Sequence, residues 1–287
     1  MQNNIVNRMR DIGLNLGRRL VDETTRLSRN GDFREREAYG RVPRPTYAYG
    51  MLRAADVGRY FGKNKVTVCE FGVSEGAGLL NLIELAELIT RETEVEFRIV
   101  GFDTGEGLPA IEGFKDHPEL WNPGDFPMLD RDALIRRIDG RAELCFGDIR
   151  ETVGPFVDSL SEDAPLGFIS IDVDIYSGTV SSLRCLDGSP NKYLPAISVH
   201  LDDADSFFSN EWCGELAAVH EFNAAHERRK IGPDRSLASN RPMQHADWYE
   251  RMWVAHVLDH EERQRPRKRP RLTLDQHAAM IRGYARQ

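Results

Sequence analysis

Two short acidic blocks carry the most chemistry in this chain: Asp172-Val-Asp174 and Asp202-Asp203, each directly after an apolar run. Carboxylates of this kind are hard oxygen ligands, suited to Mg²⁺ or Ca²⁺ with several waters retained. Such an ion lowers the pKa of a hydroxyl that it holds. Plain helix capping by Asp202 or Asp203 is the simpler reading, but four aspartates exceed what capping requires. A second block, Glu70-Phe-Gly72-Val-Ser-Glu-Gly76-Ala-Gly78, has the composition of a strand-to-helix turn that lets backbone approach a ligand closely. Its spacing is not the G-x-G-x-x-G of a dinucleotide site. Glu70 would repel a pyrophosphate there and would attract a cation. S-adenosylmethionine, with its sulfonium and ammonium and no phosphate, meets that condition. Asp103, in Gly101-Phe-Asp-Thr-Gly-Glu-Gly-Leu-Pro109, then stands where an acid accepts ribose hydroxyls, and Asp148, after Gly147, could meet the adenine amino group.

These residues need a scaffold that gathers them. Short apolar runs at 66–71, 97–102, 142–146, 167–171 and 197–201 read as strands. Longer amphipathic runs at 47–62, 76–90, 130–138, 179–186 and 215–228 read as helices. The alternation predicts an α/β fold: a doubly wound, mostly parallel, Rossmann-like sheet with crossover helices. Each strand delivers a carboxylate to the same edge, where such a sheet binds its ligands. Gathered carboxylates repel one another unless a cation or hydrogen-bond donors compensate. Residues 1–45 read as N-terminal helices and a linker, 46–228 as the catalytic domain, and 229–287 as a helical C-terminal extension, a lid or an oligomer contact.

Composition narrows the class. The chain has 287 residues, 40% of them hydrophobic, enough for a full core. Lys+Arg is 38 against Asp+Glu 46, a net charge of -8, which argues against a broad basic face for nucleic acid. The run at 263–271, RQRPRKRPR, is basic but carries two prolines and reads as a solvated linker. The four cysteines form no CxxC pair, so a structural zinc site is not expected. Cys69 and Cys145 sit in apolar runs, as reduced thiols of a cytoplasmic protein would. No signal peptide and no membrane span is expected.

With these blocks in view, the chain resembles class I S-adenosylmethionine-dependent methyltransferases, above all the Mg²⁺-dependent macrocin and mycinamicin type that modifies sugars. The resemblance rests on the Glu70–Gly78 loop, the Gly101–Pro109 block, Asp172-Val-Asp-Ile-Tyr-Ser-Gly-Thr179 and Leu201-Asp-Asp203. It covers roughly residues 45–228. It implies an O-methyltransferase for a hydroxylated small molecule, a sugar or glycosylated metabolite, working with S-adenosylmethionine and Mg²⁺. By this resemblance Glu70, Gly72, Val73, Ser74 and Gly76 line the methionine end, Asp103 and Thr104 the ribose, and Gly147 and Asp148 the adenine. Asp172 touches the cofactor too, and Asp172 or Asp174, with Asp202 and Asp203, holds the metal. No Lys or His follows in the D-x-D block, which leaves Asp174 as the base, with Asp172, His200 and His220 behind it. The chain departs from the family at Leu194-Pro-Ala196, where a Pro-Gly-Gly turn is usual, and in the extra stretch Asp187-Gly-Ser-Pro-Asn-Lys192. An NAD-binding enzyme on the same sheet and a nucleic-acid methyltransferase using the basic run are the rival expectations.

Overall fold

The computed structural model describes residues 32–243 and 245–266. Two units are distinguished, Met1–Val42 and Pro43–Gln287. The described part of the first is one short helix, α1 (Phe33–Ala38), whose first turn is capped by the Asp32 carboxylate accepting from the Glu35 N–H at 2.8 Å. The helices expected over 1–30, and the basic run beyond 266, lie outside the described residues.

The second unit opens with α2 (Pro45–Tyr60), which proline starts at its first turn. Its inner face carries Tyr47, Ala48, Met51, Ala54 and Ala55, all buried. Gly50 lets it lie flush on the sheet, since a Cβ there would stand 2.3 Å from the Phe168 ring. Then come β1 (Lys65–Phe71), α3 (Ala77–Thr93), β2 (Glu96–Asp103), α4 (Arg131–Ile138), β3 (Glu143–Phe146), α5 (Ile149–Ser159), β4 (Leu166–Ile171), α6 (Tyr176–Leu183), β5 (Tyr193–Leu201), α7 (Gly214–Ala225), β6 (Arg229–Pro233), β7 (Met252–Val257) and α8 (Glu261–Gln264).

Among the described residues the strands form one sheet in the order β3-β2-β1-β4-β5-β7-β6. β1 to β5 are parallel, and β7 runs antiparallel between β5 and β6. This is a doubly wound, Rossmann-like sheet, with its switch point between β1 and β4. All six residues of β4 are buried, as a strand covered on both faces requires. One face packs on α2 and α3. The other is sealed by α5: the Phe71 and Phe102 rings stack at 4.5 Å, and Phe156 meets Phe102 edge-on at 5.2 Å.

The stretch from 229 is not the helical extension expected. Its main body is β6 and β7, which complete the sheet, so the boundary at 228 cuts through the domain. β6, Arg-Lys-Ile-Gly-Pro, lacks the apolar pattern of a strand because it is the edge, where cations and proline discourage further pairing. α5 is the other unforeseen element. Its Gly154-Pro155 pair breaks the helical signal, yet the helix continues through it. All four cysteines are free, with Cys69 and Cys185 buried. Among the described residues no helix is long and apolar enough to cross a membrane.

Candidate active site

Main-chain bonds tie the carboxyl ends of neighbouring strands together. The Gly147 N–H donates to the Asp103 carbonyl at 3.0 Å, Gly72 to Phe102 at 2.9 Å, Asp172 to Phe71 at 2.9 Å and Asp202 to Ile171 at 3.1 Å. A cavity of about 680 Å³ opens over this edge, lined by Gly72, Ser74, Asp103, Thr104, Asp148, Asp172, Asp174 and Asp202 among others. Of the residues expected at the site, Glu70, Val73, Gly76, Gly147, His200 and Asp203 are not in the lining.

The glycine loop is shaped by its φ angles. Gly72 (φ +86) and Gly76 (φ +83) are left-handed. A Cβ on Gly72 would stand 1.8 Å from the Asp172 carbonyl oxygen. Ser74 takes φ 46, unusual for a residue with a side chain. Asp103 holds this turn: Val73 and Ser74 N–H groups donate to its Oδ2 at 2.9 and 2.7 Å, and Gly105 N–H to its Oδ1 at 2.6 Å. The acid expected at the ribose is therefore also the clamp of the loop. Asp148 is likewise engaged, capping α5 through the Arg150 N–H at 2.8 Å and pairing with the Arg150 guanidinium at 2.6 Å.

Glu70 points away from the cavity. It is 2% exposed, accepts from the Tyr47 hydroxyl at 2.6 Å, and leaves its Oε2 without a partner among the described residues. Gly78 makes room for it, because a Cβ there would lie 1.8 Å from Glu70 Oε1. Burial pushes this carboxyl up to about 8, and the Tyr47 bond and Arg44 offset only part. Strand alternation places Glu70 on the face opposite Cys69 and Phe71, so it does not line the cavity as expected.

In register with Glu70 stand Ser170 and His200, one row across β1, β4 and β5. The Ser170 hydroxyl lies 3.0 Å from the Tyr47 oxygen and 2.9 Å from His200 Nδ1. His200 Nε2 is 3.5 Å from Asp202 Oδ1. Burial, then the nearby Arg251, drives the imidazole down to about 3. His200 is 2% exposed and cannot touch an acceptor, which removes it as a base. His220 is exposed on α7, outside the cavity lining.

The acid cluster itself is crowded. Among the described residues the Asp172 and Asp174 carboxylates form no hydrogen bond or ion pair. Burial and then Asp202 and Asp174 raise Asp172 to about 8. Burial and then Asp203 and Asp202 raise Asp174 to about 7. Asp203 rises to about 6, chiefly through burial and Asp202. Asp174 sits at φ 61, a strained conformation that concentrates at functional positions. Two residues were not foreseen. Glu215, in the first turn of α7, is 2% exposed; its Oε2 accepts the Asp203 N–H at 2.9 Å, and its Oε1 has no partner among the described residues. Its position 12 residues past Asp203 in a helix start was the only available signal. Arg251 comes from the turn before β7 and pairs with Asp202 at 3.0 Å and Asp205 at 2.8 Å.

By chemistry alone the donors suit a hard divalent ion: unpaired carboxylates that burial, and then their mutual repulsion, holds partly protonated, and an orphaned buried Glu215 oxygen beside them. Among the described residues, however, no three His, Cys, Asp or Glu stand arranged to hold a metal ion.

No family model matches the chain, and no curated protein does. Solved structures similar to it include CalS11, a calicheamicin methyltransferase, at 18% identity over 83% of this chain and 91% of that one, with TM-score 0.46. An O-methyltransferase from Bacillus cereus in complex with SAH shares 14% over 79% and 89%, TM-score 0.39. The structure named cmcI-D160 Mg-SAM shares 16% over 71% and 70%, TM-score 0.39. Likeness at these levels carries no argument about chemistry, which rests on the residues of the cavity.

Proposed function

We propose that the chain is an S-adenosylmethionine-dependent O-methyltransferase acting on a hydroxyl of a small molecule, a sugar or glycosylated metabolite. One observation carries the reading. A single cavity joins a glycine turn clamped by Asp103 to a pair of unpartnered, partly protonated aspartates. The first half is shaped for close backbone approach to a nucleoside and its amino-acid arm. The second half is negative and suits a cationic sulfonium beside a polyol. CalS11 is described as a TDP-rhamnose 3'-O-methyltransferase, a sugar acceptor of the kind proposed here.

In this reading Asp174, held near neutrality at about 7, takes the proton from the acceptor hydroxyl. The alkoxide oxygen attacks the methyl carbon in line. The carbon–sulfur bond breaks, and its electron pair stays on sulfur as S-adenosylhomocysteine forms. Catalysis is chiefly positioning, since both reactants lie in one cavity over rigid strand ends. A divalent ion held by Asp172, Asp202 and Asp203, which leaves Asp174 free as the base, would supply Lewis acidity that eases loss of that proton. Tyr176 and Phe126 line the same cavity and offer aromatic surface to an acceptor.

Calorimetry with S-adenosylmethionine, with and without chelator, tests the reading. Binding in the micromolar range that survives chelation is expected. Binding of NAD in place of S-adenosylmethionine would overturn it.

A further inference from the structure

The segment from Leu108 to Asp125, between β2 and α4, is a closed excursion. Its neck is two main-chain bonds: the Leu108 N–H donates to the Asp125 carbonyl and the Gly124 N–H to the Leu108 carbonyl, both at 2.8 Å. Gly107 (φ +88) permits this approach, because a Cβ there would stand 2.4 Å from the Asp125 carbonyl oxygen. Leu108, Pro109, Glu112 and Asp125 of this segment line the same cavity as Gly72 and Asp103. The excursion is held down by Asp116, a carboxylate only 1% exposed. Asp116 Oδ1 accepts the Ser177 N–H at 2.7 Å, and its Oδ2 accepts the Glu112 N–H at 2.7 Å and the Ser177 hydroxyl at 3.1 Å.

This is helix capping from a distance. Ser177 stands in the first turn of α6, where N–H groups have no intrahelical partner. The cap residue, Ile175, makes no side-chain bond to them, so the anion at this helix start comes from 61 residues away. Tyr176, Ser177 and Gly178 of that turn also line the cavity. One carboxylate therefore docks the excursion on the element that follows Asp172-Val-Asp174. The other side-chain ties lie at the surface, Lys115 with Glu221 and Glu112 with the Arg150 guanidinium at 3.0 Å, and exposed pairs of this kind contribute little.

We propose that Asp116 is a positioning residue for the methyl transfer: it latches residues 108–125 as a flap on α6, and release of that latch sets how fast the cofactor enters and leaves. This rests on the cavity being the S-adenosylmethionine site, as the proposed function has it. Bonds from N–H and O–H donors to a buried carboxylate are charge-assisted, so this contact outweighs the surface pairs and governs opening. Flap motions of this kind gate ligand exchange, and in many enzymes they limit turnover.

Stopped-flow mixing of the full-length protein with S-adenosylhomocysteine, followed by tryptophan fluorescence, tests this, and Trp121 within the flap serves as reporter. Asp116→Asn keeps one acceptor oxygen but turns an amide N–H towards donors. Association and dissociation are both expected to quicken, each by about tenfold, because an unlatched flap opens more often. A merely damaged site would quicken dissociation alone. Ser177→Ala loses only the hydroxyl bond and is expected to quicken both rates by about threefold; it serves if Asp116→Asn does not fold. Unchanged or slower rates in the folded variant overturn the proposal, as does faster dissociation with unchanged association. Either result, with wild-type binding intact, leaves the methyltransferase reading standing. No binding of S-adenosylhomocysteine or S-adenosylmethionine by the wild type sinks both.

Discussion

Replacing Glu70 by Gln should flatten the pH dependence of stability between pH 6.5 and 8. In the folded protein this carboxyl titrates at about 8, against an ordinary value near 4.5. Between those values the native state keeps the proton and the unfolded chain has released it, so stability falls as pH rises. His200 works the other way. Its folded value of about 3 against 6.5 makes stability rise with pH, but only below 6.5, so it adds nothing in the chosen window. With one proton held per molecule, the slope near pH 6.5 is roughly 1.4 kcal/mol per unit, tapering as Glu70 ionises. Integrated to pH 8, Glu70 alone accounts for a loss on the order of 2 kcal/mol. For a domain of this size that is roughly 4–8 °C in Tm. Gln keeps the shape and can still accept from the Tyr47 hydroxyl. Asp174 slopes in the same direction and is common to both proteins, while Asp172 also feels the Glu70 charge, so the difference between the two curves reports Glu70 together with its smaller effect on Asp172. Thermal melts of metal-free and cofactor-free protein across this range provide the assay. Parallel curves for wild type and Glu70→Gln would show that Glu70 is ionised in the folded state, and the account of its burial would be wrong.

Two further outcomes follow from the same geometry. Gly72→Ala forces φ +86 on a residue with a Cβ that would meet the Asp172 carbonyl at 1.8 Å. It should cost roughly 2 kcal/mol or more by melting and abolish S-adenosylmethionine binding by calorimetry, and near-wild-type binding would mean the loop is not the cofactor's seat. His200→Asn should lower kcat without removing a limb from the pH–rate profile near neutrality, because the imidazole is already uncharged there. Disappearance of such a limb would restore His200 as the proton acceptor.

Some of this was readable from the residues alone, and the reason is burial. β1, β2, β4 and β5 are covered on both faces, so their apolar runs are nearly continuous and their ends stand out, which is how Asp103, Asp172 and Asp202 could be placed on one edge. The rest depended on partners distant in sequence. β6 reads as polar because an edge needs no apolar face, and β7 is recognisable only once it lies on β5. Arg251 reaches Asp202 across 49 residues of chain, and no spacing rule connects them. The side of Glu70 could have been inferred: Cys69 and Phe71 face the α5 core, so the residue between them must face α2. What was not inferable is that α2 would supply a tyrosine there.

That tyrosine makes sense of an otherwise costly row. Glu70, Ser170 and His200 sit in register on a sheet face that should be apolar, each 2% exposed or less. A fold needing only stability would fill these positions with valine or leucine, because buried polar groups repay their desolvation only when every member is satisfied. Here Tyr47 bonds to Glu70 and Ser170, Ser170 to His200, and His200 faces Asp202, while Glu70 Oε2 remains orphaned. A polar chain retained at that cost, running from beneath Gly78 of the glycine turn to the acid that Arg251 grips, breaks the local rules of a core in the way functional sites do. Its two ends are the two halves of the proposed chemistry, cofactor loop and acid cluster. α2, outside every recognised motif, is what joins them.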